Sequence, residues 1–355
     1  MALTKNQLSF ITKVKAAGAS ELGVTLDDAI CSYLIAVIIK DLGLNEHFPD
    51  LPQDIPPFFT NKQLIDLRVE GANFVSLFER LIGLREDADT YFYCLASLHK
   101  SRLKYERILK AQAIPTIDQV GPRGLLQFGS ISSKALAALL FWRKWIFDID
   151  NRAGQEAGYA FEPIIAHALG GVPLSAQKSP VTRAGEGRQG RQIDCLRESD
   201  KRAYEIKLRV TIAASGQGRW REELEFPNDC KASGYTPVLV VLDPTKNSKL
   251  DELSDAFIRA GGEVYIGPTA WAHLETVAGP TMAHFIEKYV HRTIQSLLRE
   301  APDKLPGIAF TIDDDYLTIT VYDEVLRVKR VKHPVALQTG EERLTDDVDE
   351  HVPTP

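Results

Sequence analysis

The 355-residue chain has few cysteines and no long hydrophobic run, and each absence excludes a class of protein. Its four cysteines lie far apart without a Cys-x-x-Cys pair, which argues against a disulfide framework or a zinc site and favours a reducing cytoplasm. The longest apolar run, residues 135–142, is far too short to span a bilayer, and no signal-peptide pattern is present. The Gly-x-Ser-x-Gly and Gly-x-x-x-x-Gly-Lys-Ser/Thr motifs are also absent. We therefore expect a cytoplasmic protein without a membrane partner.

The chain also lacks an overall positive charge, which bears on whether it binds nucleic acid. The net charge is −6, from 42 Lys and Arg against 48 Asp and Glu. The distribution is uneven, because residues 178–221 contain eleven Lys or Arg against five Asp or Glu, whereas residues 341–355 contain six acids and one Arg. A surface that faces DNA can therefore be basic although the total is not.

Hydrophobic periodicity divides the chain into a helical first half and a mixed second half. Caps or glycine stops predict helices at residues 25–43, 132–145 and 158–171. Periodicity predicts helices at 64–84 and 89–110, and further helices are predicted at 219–230, 249–260 and 283–298. Strands are predicted at 237–243 and 263–266, in a hairpin over 191–208, and in a second hairpin formed by 308–312 and 316–328.

These elements predict an α/β protein in four parts. A helical N-terminal region over 1–150 would contact DNA, form a dimer or brace an α/β core over 151–275. A helix and hairpin would follow over 276–336, and residues 337–355 have the acidic composition of a disordered tail.

The hairpin over residues 191–208 carries the most information about chemistry. Apolar and polar residues alternate with the period of 2 expected of strands, and a polar run at 197–202 supplies the turn. This places Asp194 on the polar face of one strand, and Glu205 and Lys207 together on that of the other. Two converging carboxylates repel each other unless a cation joins them, and a nearby lysine can offset developing negative charge. These groups are the minimum for metal-assisted hydrolysis of a phosphodiester.

A short acid-x-Lys pattern arises often by chance, so its context must decide its meaning. The chain contains a second example, Asp229-Cys-Lys231, in a polar stretch, whereas Glu205-Ile-Lys207 lies within an apolar strand. A solvated hairpin face with cross-strand ion pairs is the alternative interpretation of the strand pattern.

With the elements around it, the hairpin resembles the active site of the PD-(D/E)XK nuclease superfamily, and the chain resembles type II restriction endonucleases. The order of helix, strands, helix and strand over about residues 154–266 follows that superfamily's αβββαβ core and mixed sheet. Ile193 stands where the superfamily's name has Pro, at a position that varies widely. The segment after Lys207 also resembles the ApaLI-like family, as a whole and not through a defined motif.

This resemblance implies a set of metal ligands and a reaction. Asp194, Glu205 and the carbonyl of Ile206 would hold Mg²⁺, and Lys207 would position the attacking water and offset charge in the transition state. The products would carry 5′-phosphate and 3′-hydroxyl ends.

A fourth acid is expected on the helix that precedes the hairpin. Such nucleases often have a glutamate there that faces the metal, and Glu162 stands at that place, with Glu156 as its rival. Surface glutamates favoured by the helix dipole are the alternative for both residues.

The segments on either side of the hairpin supply candidate DNA contacts. Arg and Gln suit bidentate contacts with base edges, and glycines let the backbone approach DNA closely. A polar loop followed by a helix start is the alternative. The candidates are Arg183, Arg188, Arg191, Ser215, Gln217, Arg219 and Arg221.

The sequence thus predicts a type II restriction endonuclease that makes Mg²⁺-dependent, sequence-specific cuts in double-stranded DNA. A palindromic target would require a homodimer, and a DNA methyltransferase would be its genetic partner. Two alternatives remain open: a structure-directed or repair nuclease of the same superfamily, and a non-catalytic DNA-binding or scaffold protein.

Overall fold

The computed structural model of the chain describes residues 3–16, 23–85, 87–184, 189–208, 217–300, 306–313 and 315–331. The described helices are α1 (Lys5–Lys15), α2 (Asp28–Asp41), α3 (Phe74–Leu84), α4 (Ala88–Ala111), α5 (Ile117–Val120), α6 (Ser133–Ala168), α7 (Gln217–Ala232), α8 (Ser248–Arg259), α9 (Pro268–Phe285) and α10 (Arg292–Arg299). The described strands are β1 (Val172–Leu174), β2 (Ile193–Arg197), β3 (Arg202–Lys207), β4 (Thr236–Val241), β5 (Glu263–Ile266), β6 (Ile308–Ile312), β7 (Tyr316–Val321) and β8 (Glu324–Lys329).

The N-terminal helices form much of the larger hydrophobic core. Helix α2 is apolar on nearly every face and is buried, as such a helix must be, and Asp27 caps it by accepting a hydrogen bond from the Ile30 N–H. The predicted helix over 64–84 is wrong in its first half, where Leu64–Asp66 forms a single 3₁₀ turn. The α-helix begins at Phe74 because Gly71 has a positive φ and Asn73 caps the first turn.

Helix α6 joins two segments that the sequence predicts as separate helices. Residues 133–145 and 158–168 belong to one helix of 36 residues, which is capped by Ser132 and continuous through Pro163. The separate-helix prediction is wrong because α6 packs on α4 from Trp145 to His167 and also contacts β1, β2 and α9, and this packing outweighs local helix-breaking tendencies. The predicted domain boundary at residue 150 falls inside α6, and the division into domains stays a prediction.

The α/β part is built on a five-stranded mixed sheet in the order β1-β2-β3-β4-β5. Strands β1, β2 and β3 pair antiparallel, whereas β3, β4 and β5 are parallel. Helices α7 and α8 make the two crossovers that parallel strands require. The mixed α/β class is confirmed, and β1 is a strand that the sequence pattern did not locate.

Strand β4 lies between two hydrophobic cores. The side chains of Val238 and Val240 belong to the core formed with the N-terminal helices, α6 and α9, whereas Leu239 and Val241 belong to the core formed with α7 and α8. This confirms the prediction of a strand buried on both faces.

A second sheet of three antiparallel strands, β6-β7-β8, packs on α4 and α6 around Trp145 and Leu317. The prediction of a two-stranded hairpin is wrong here, because a turn at Tyr322, which has a positive φ, divides 316–328 into two strands. The predicted helix over 283–298 is part of a longer run that includes α9, a π-helical segment Ile286–His291 and α10. None of the described helices is long and apolar enough to cross a membrane.

Candidate active site

Four carboxylates and one lysine meet beside the β2–β3 hairpin, and we call this group the acidic centre. It consists of Asp194, Glu205 and Lys207 on the sheet, Glu162 on α6 and Glu223 on α7. Cys195 pairs with Tyr204 across the hairpin, so Asp194 and Glu205 come next in the same register and share a face of the sheet. The predicted hairpin is confirmed, with β2 ending at Arg197 and β3 beginning at Arg202.

Hydrogen bonds and ion pairs hold these side chains together. The Ile206 N–H donates to Asp194 Oδ2 at 2.8 Å. Lys207 Nζ lies 3.0 Å from Glu205 Oε1 and 3.4 Å from Glu223 Oε2. In a β-strand the N–H and C=O of one residue point towards the same neighbouring strand, so the carbonyl of Ile206 faces β2, as its N–H does. Ile206 lies beyond Tyr204, the last residue of β3 that pairs with β2. The strand pattern therefore brings one backbone and two side-chain oxygens to one edge.

The acids of the centre repel one another. Burial, followed by the charges of Glu205 and Glu162, raises the pKa of Asp194 well above its usual range, against the lowering effect of the Ile206 N–H and Lys207. Burial and Glu205 raise the pKa of Glu162 to about 7. Burial is the larger cause of both shifts, and the neighbouring carboxylates add to it, so both acids are costly to ionise without a bound cation.

Lys207 remains a cation in this environment. Burial lowers the pKa of its ammonium group, but the carboxylates of Glu205, Glu223 and Asp194 outweigh burial and hold that pKa above its ordinary value. A lysine in this state donates hydrogen bonds and offsets negative charge, and it does not act as a base near neutral pH.

The structure separates the two candidates for the fourth acid. Glu156 forms an ion pair with Lys104 of α4, at 3.3 Å, on the side of α6 that faces the N-terminal helices. Glu162, two turns further along, interacts electrostatically with Glu205, Asp194 and Lys207. Of the two, Glu162 belongs to the acidic centre.

Comparison with known proteins agrees with this geometry. A family model described as ApaLI-like restriction endonuclease matches residues 61–291 of the chain. The type II restriction enzyme ApaLI of Acetobacter pasteurianus is 46% identical over 282 residues, which cover 74% of this chain and 74% of that enzyme. The chain belongs to the ApaLI-like restriction endonuclease family. No solved structure matches it.

Membership of the ApaLI-like family confirms the prediction of a type II restriction endonuclease, a site-specific deoxyribonuclease. The matched residues include the whole acidic centre and the five-stranded sheet, whereas α1, α2 and the sheet β6-β7-β8 lie outside them.

The predicted DNA contacts of this ApaLI-like endonuclease fall into three groups. Arg221 is 82% exposed and pairs with Glu225 on its own helix, and Arg183 is partly exposed and pairs with Glu222. Arg188 and Ser215 lie outside the described residues, as do the side chains of Gln217 and Arg219.

Arg191 corrects the expectation that the basic loop presents all its arginines to DNA. Its side chain is buried, and its Nε donates to Asp229 Oδ2 at 2.6 Å. The other oxygen of Asp229 accepts a hydrogen bond from the Ala184 N–H, so this pair fastens the segment before β2 to α7. In this arrangement Arg191 is a structural residue, because a buried, paired guanidinium is not presented to a ligand.

Glu223 is the member of the acidic centre that sequence reasoning missed. It lies on the polar helix predicted after the hairpin, among neighbouring glutamates that pair elsewhere, so its residue type alone did not distinguish it. One feature of the sequence could have indicated Glu223. A helix that connects β3 to the parallel strand β4 must cross the face of the sheet that carries Glu205 and Lys207.

A second carboxylate group lies far along the chain from the acidic centre. His291 Nδ1 lies 3.3 Å from Glu275 Oε1 and 3.0 Å from Glu287 Oε2, and its ring stacks on Trp271. Ligand atoms of these three residues lie within 4.8 Å of one another. Arg292 also pairs with Glu287, so the charges of this group are largely matched within it.

Proposed function

We propose that the protein is a Mg²⁺-dependent endonuclease that cuts both strands of double-stranded DNA at a fixed sequence, leaving 5′-phosphate and 3′-hydroxyl ends. The observation that carries the proposal is the acidic centre, in which four carboxylates surround one lysine on a strand hairpin. Family membership supplies the substrate, DNA, and the class of reaction.

The donor set of the acidic centre suits a hard divalent cation. Carboxylate and backbone carbonyl oxygens are the ligands that Mg²⁺ prefers, and the raised pKa values of Asp194 and Glu162 indicate negative charge that a cation would offset. Asp194, Glu205 and the carbonyl of Ile206 would hold the ion, and Glu162 would hold or orient a second ion or its waters. When bound, Mg²⁺ would act as a Lewis acid and lower the pKa of a coordinated water.

The protein's own residues would orient the reacting groups. Lys207, held as an ammonium group by Glu205 and Glu223, would donate a hydrogen bond to the attacking water and offset the charge that develops on the phosphate. The hydrogen bond from the Ile206 N–H fixes the orientation of Asp194, so one carboxylate oxygen remains for a ligand.

The sheet supports assignment of this site to a PD-(D/E)XK core. Helix α6, the antiparallel strands β1, β2 and β3, helix α7 and the parallel strand β4 follow one another as in that superfamily's αβββαβ order. Asp194 and Glu205-Ile206-Lys207 then occupy the two middle strands, where the superfamily has its motif.

Three partners follow from the proposed reaction. The substrate is double-stranded DNA, a second copy of the chain would cut the opposite strand of a palindromic target, and a cognate methyltransferase would protect the host's own sites. The proposed location is the cytoplasm. Arg183 and Arg221 would contact the DNA, together with Arg188, Ser215, Gln217 and Arg219.

Digestion of a long unmethylated DNA of known sequence tests the proposal. With Mg²⁺ we expect discrete fragments, and sequencing their ends gives the recognition site, the cut position and the end chemistry. Asp194→Asn should yield uncut DNA under the same conditions, because it removes a charged ligand with little change in shape. Ragged ends without a common sequence would point to a structure-directed nuclease, and equal cutting by Asp194→Asn would refute the proposed centre.

A further inference from the structure

An apolar surface stands out on the first part of α6 and the turn before it. Seven large hydrophobic side chains between residues 125 and 147 are exposed, and we call this set the apolar arm. It comprises Leu125, Leu126, Phe128, Ile131, Leu139, Ile146 and Phe147. Leu125 is 80% exposed and Leu126 is 94% exposed, so these side chains contribute almost nothing to the fold of one chain.

The size of the apolar arm exceeds what a monomer normally leaves in water. At ~170 Å² for a fully exposed side chain of this kind, the seven residues expose on the order of 700 Å². The largest apolar patch of an ordinary monomer is about 300–600 Å², whereas each partner in a standard protein interface buries about 800 Å². The exposed area of the apolar arm is therefore close to the area that one partner buries in a standard protein interface.

The arm is one surface and not a scatter of single residues. Leu125 and Leu126 line a shallow concavity together with Arg143 of α6. Leu139, Arg143 and Phe147 follow at the helical spacing of four, so they lie on one face of α6. Beneath them the turn is held to the helix by the small cluster of Val120, Leu136 and Leu140.

We infer that the apolar arm is the surface through which two copies of this chain associate. Charge on the exposed face of α6 favours a second copy over an unrelated protein. Arg143 and Asp150 are exposed and form no ion pair within the described part of the chain. If two copies of α6 cross antiparallel about an axis between Ile146 and Phe147, Arg143 of each copy lies opposite Asp150 of the other. The surface is then self-complementary, as a two-fold interface must be.

This association deepens the proposed function and rests on it in one respect. Helix α6 runs without a break from the arm to Glu162, about 22 Å from residue 147 at 1.5 Å per residue. The same rigid helix would then set the distance between the two acidic centres, and with it the spacing of the cuts on the two strands. The association itself does not depend on cleavage.

Sedimentation velocity of the full chain without DNA or metal tests the inference. We expect a dimer for the wild-type protein at micromolar concentration, and a monomer, with at least a hundredfold weaker association, for Leu126→Asp. Leu297→Asp is the matched control, because Leu297 is also exposed (71%) but lies on α10, and it should remain a dimer. Circular dichroism should show that both variants are folded. A monomeric wild type, or a dimeric Leu126→Asp, would overturn the inference.

A charge reversal tests the antiparallel arrangement. Arg143→Glu and Asp150→Arg should each weaken association about tenfold or more, and the double variant should restore it to within about threefold of wild type. Failure of the double variant to recover would refute this pairing. Because these measurements need no cleavage, they can fail while Mg²⁺-dependent cutting is observed, and they can succeed while it is not.

Discussion

The chain contains two acid-x-Lys segments, and the structure gives them opposite environments. Glu205-Ile-Lys207 lies on β3, where Lys207 is surrounded by more carboxylates than it can neutralise. Asp229-Cys-Lys231 lies in the last turns of α7, where Asp229 is buried against Arg191 and Lys231 is exposed. The same three-residue pattern therefore belongs to a group of several carboxylates in one place and to a structural ion pair in the other.

Charge balance is what separates the two segments. Around Asp229 the charges are matched, because Arg191 pairs with Asp229 and, at 3.7 Å, with Glu225, and the Ala184 N–H donates to the other oxygen of Asp229. The acidic centre has an excess of anions, which a fold maintains only at a cost in stability unless a ligand supplies the missing positive charge. The proposed cation site therefore differs from the Asp229 segment in the balance of its charges and not in its sequence pattern.

The largest expected difference between the two segments appears when the lysine of each is removed. Lys207→Ala should lower the rate of DNA cleavage on the order of 10⁴-fold, or about 5 kcal/mol of transition-state stabilisation, while DNA binding in Ca²⁺ persists. Lys231→Ala should leave cleavage within about twofold of wild type, because that side chain is exposed on the far end of α7. Single-turnover cleavage and a binding titration measure both quantities. Similar losses in the two variants would remove the distinction between the segments.

Removing one acid from the acidic centre and one from the Asp229 segment should change the free energy of unfolding in opposite directions. Asp229→Asn leaves the buried guanidinium of Arg191 with Glu225, at 3.7 Å, as its remaining charged partner, and should lower the free energy of unfolding by about 3 kcal/mol. Asp194→Asn removes a carboxylate whose ionisation is opposed by burial and by the charges of Glu205 and Glu162, so it should stabilise the metal-free protein near neutral pH. Urea denaturation in EDTA compares the two. Destabilisation by both substitutions would mean that the charge of Asp194 is already compensated within the folded protein.

The elements that were predicted correctly are those that a short stretch of sequence determines by itself. The β2–β3 hairpin, strand β4 and helix α8 follow from alternation, an unbroken apolar run and a capped amphipathic pattern, and each is found close to its predicted bounds. The joining of two segments into α6 was missed, since Pro163 and two glycines argue locally for a break. Packing against α4 and the sheet decides otherwise, and that information is not local.

The same limit applies to the site residues. The sequence was enough to predict that Asp194, Glu205 and Lys207 lie together, because strand alternation and pairing determine which side chains share a face of the sheet. Glu223 could not, because its contact with Lys207 depends on the rotation of α7 over the sheet. Arg191 was assigned to DNA on charge alone, whereas its burial depends on a partner 38 positions away.

The pH dependence of the free energy of unfolding offers a third test of the excess of carboxylates in the acidic centre. The pKa of Glu162 rises from 4.5 to about 7 on folding, so the folded, metal-free protein keeps a proton that the unfolded chain has released. Its contribution therefore favours folding at low pH and is lost as the pH rises from about 4.5 to about 7, by about 3 kcal/mol in all. Denaturation at pH 5 and pH 8 in EDTA should show this decline, and Glu162→Gln should reduce it.

Saturating Ca²⁺ provides the control for this measurement, since a bound cation should restore stability at pH 8 in the wild type. Glu156→Gln provides another, because Glu156 pairs with Lys104 and lies outside the centre. An identical decline in Glu162→Gln and wild type would exclude Glu162 as its source.

The smallest predicted effect concerns Glu223, which touches Lys207 and no strand acid directly in the contacts of the described chain. We expect Glu223→Gln to slow cleavage about tenfold, or about 1.4 kcal/mol, because the ammonium group loses one of the carboxylates that hold it in place. Glu222→Gln, at the neighbouring position and paired with Arg183, should leave the rate within about twofold of wild type in single-turnover cleavage. Equal rates for Glu223→Gln and Glu222→Gln would mean that Glu223 does not position the lysine.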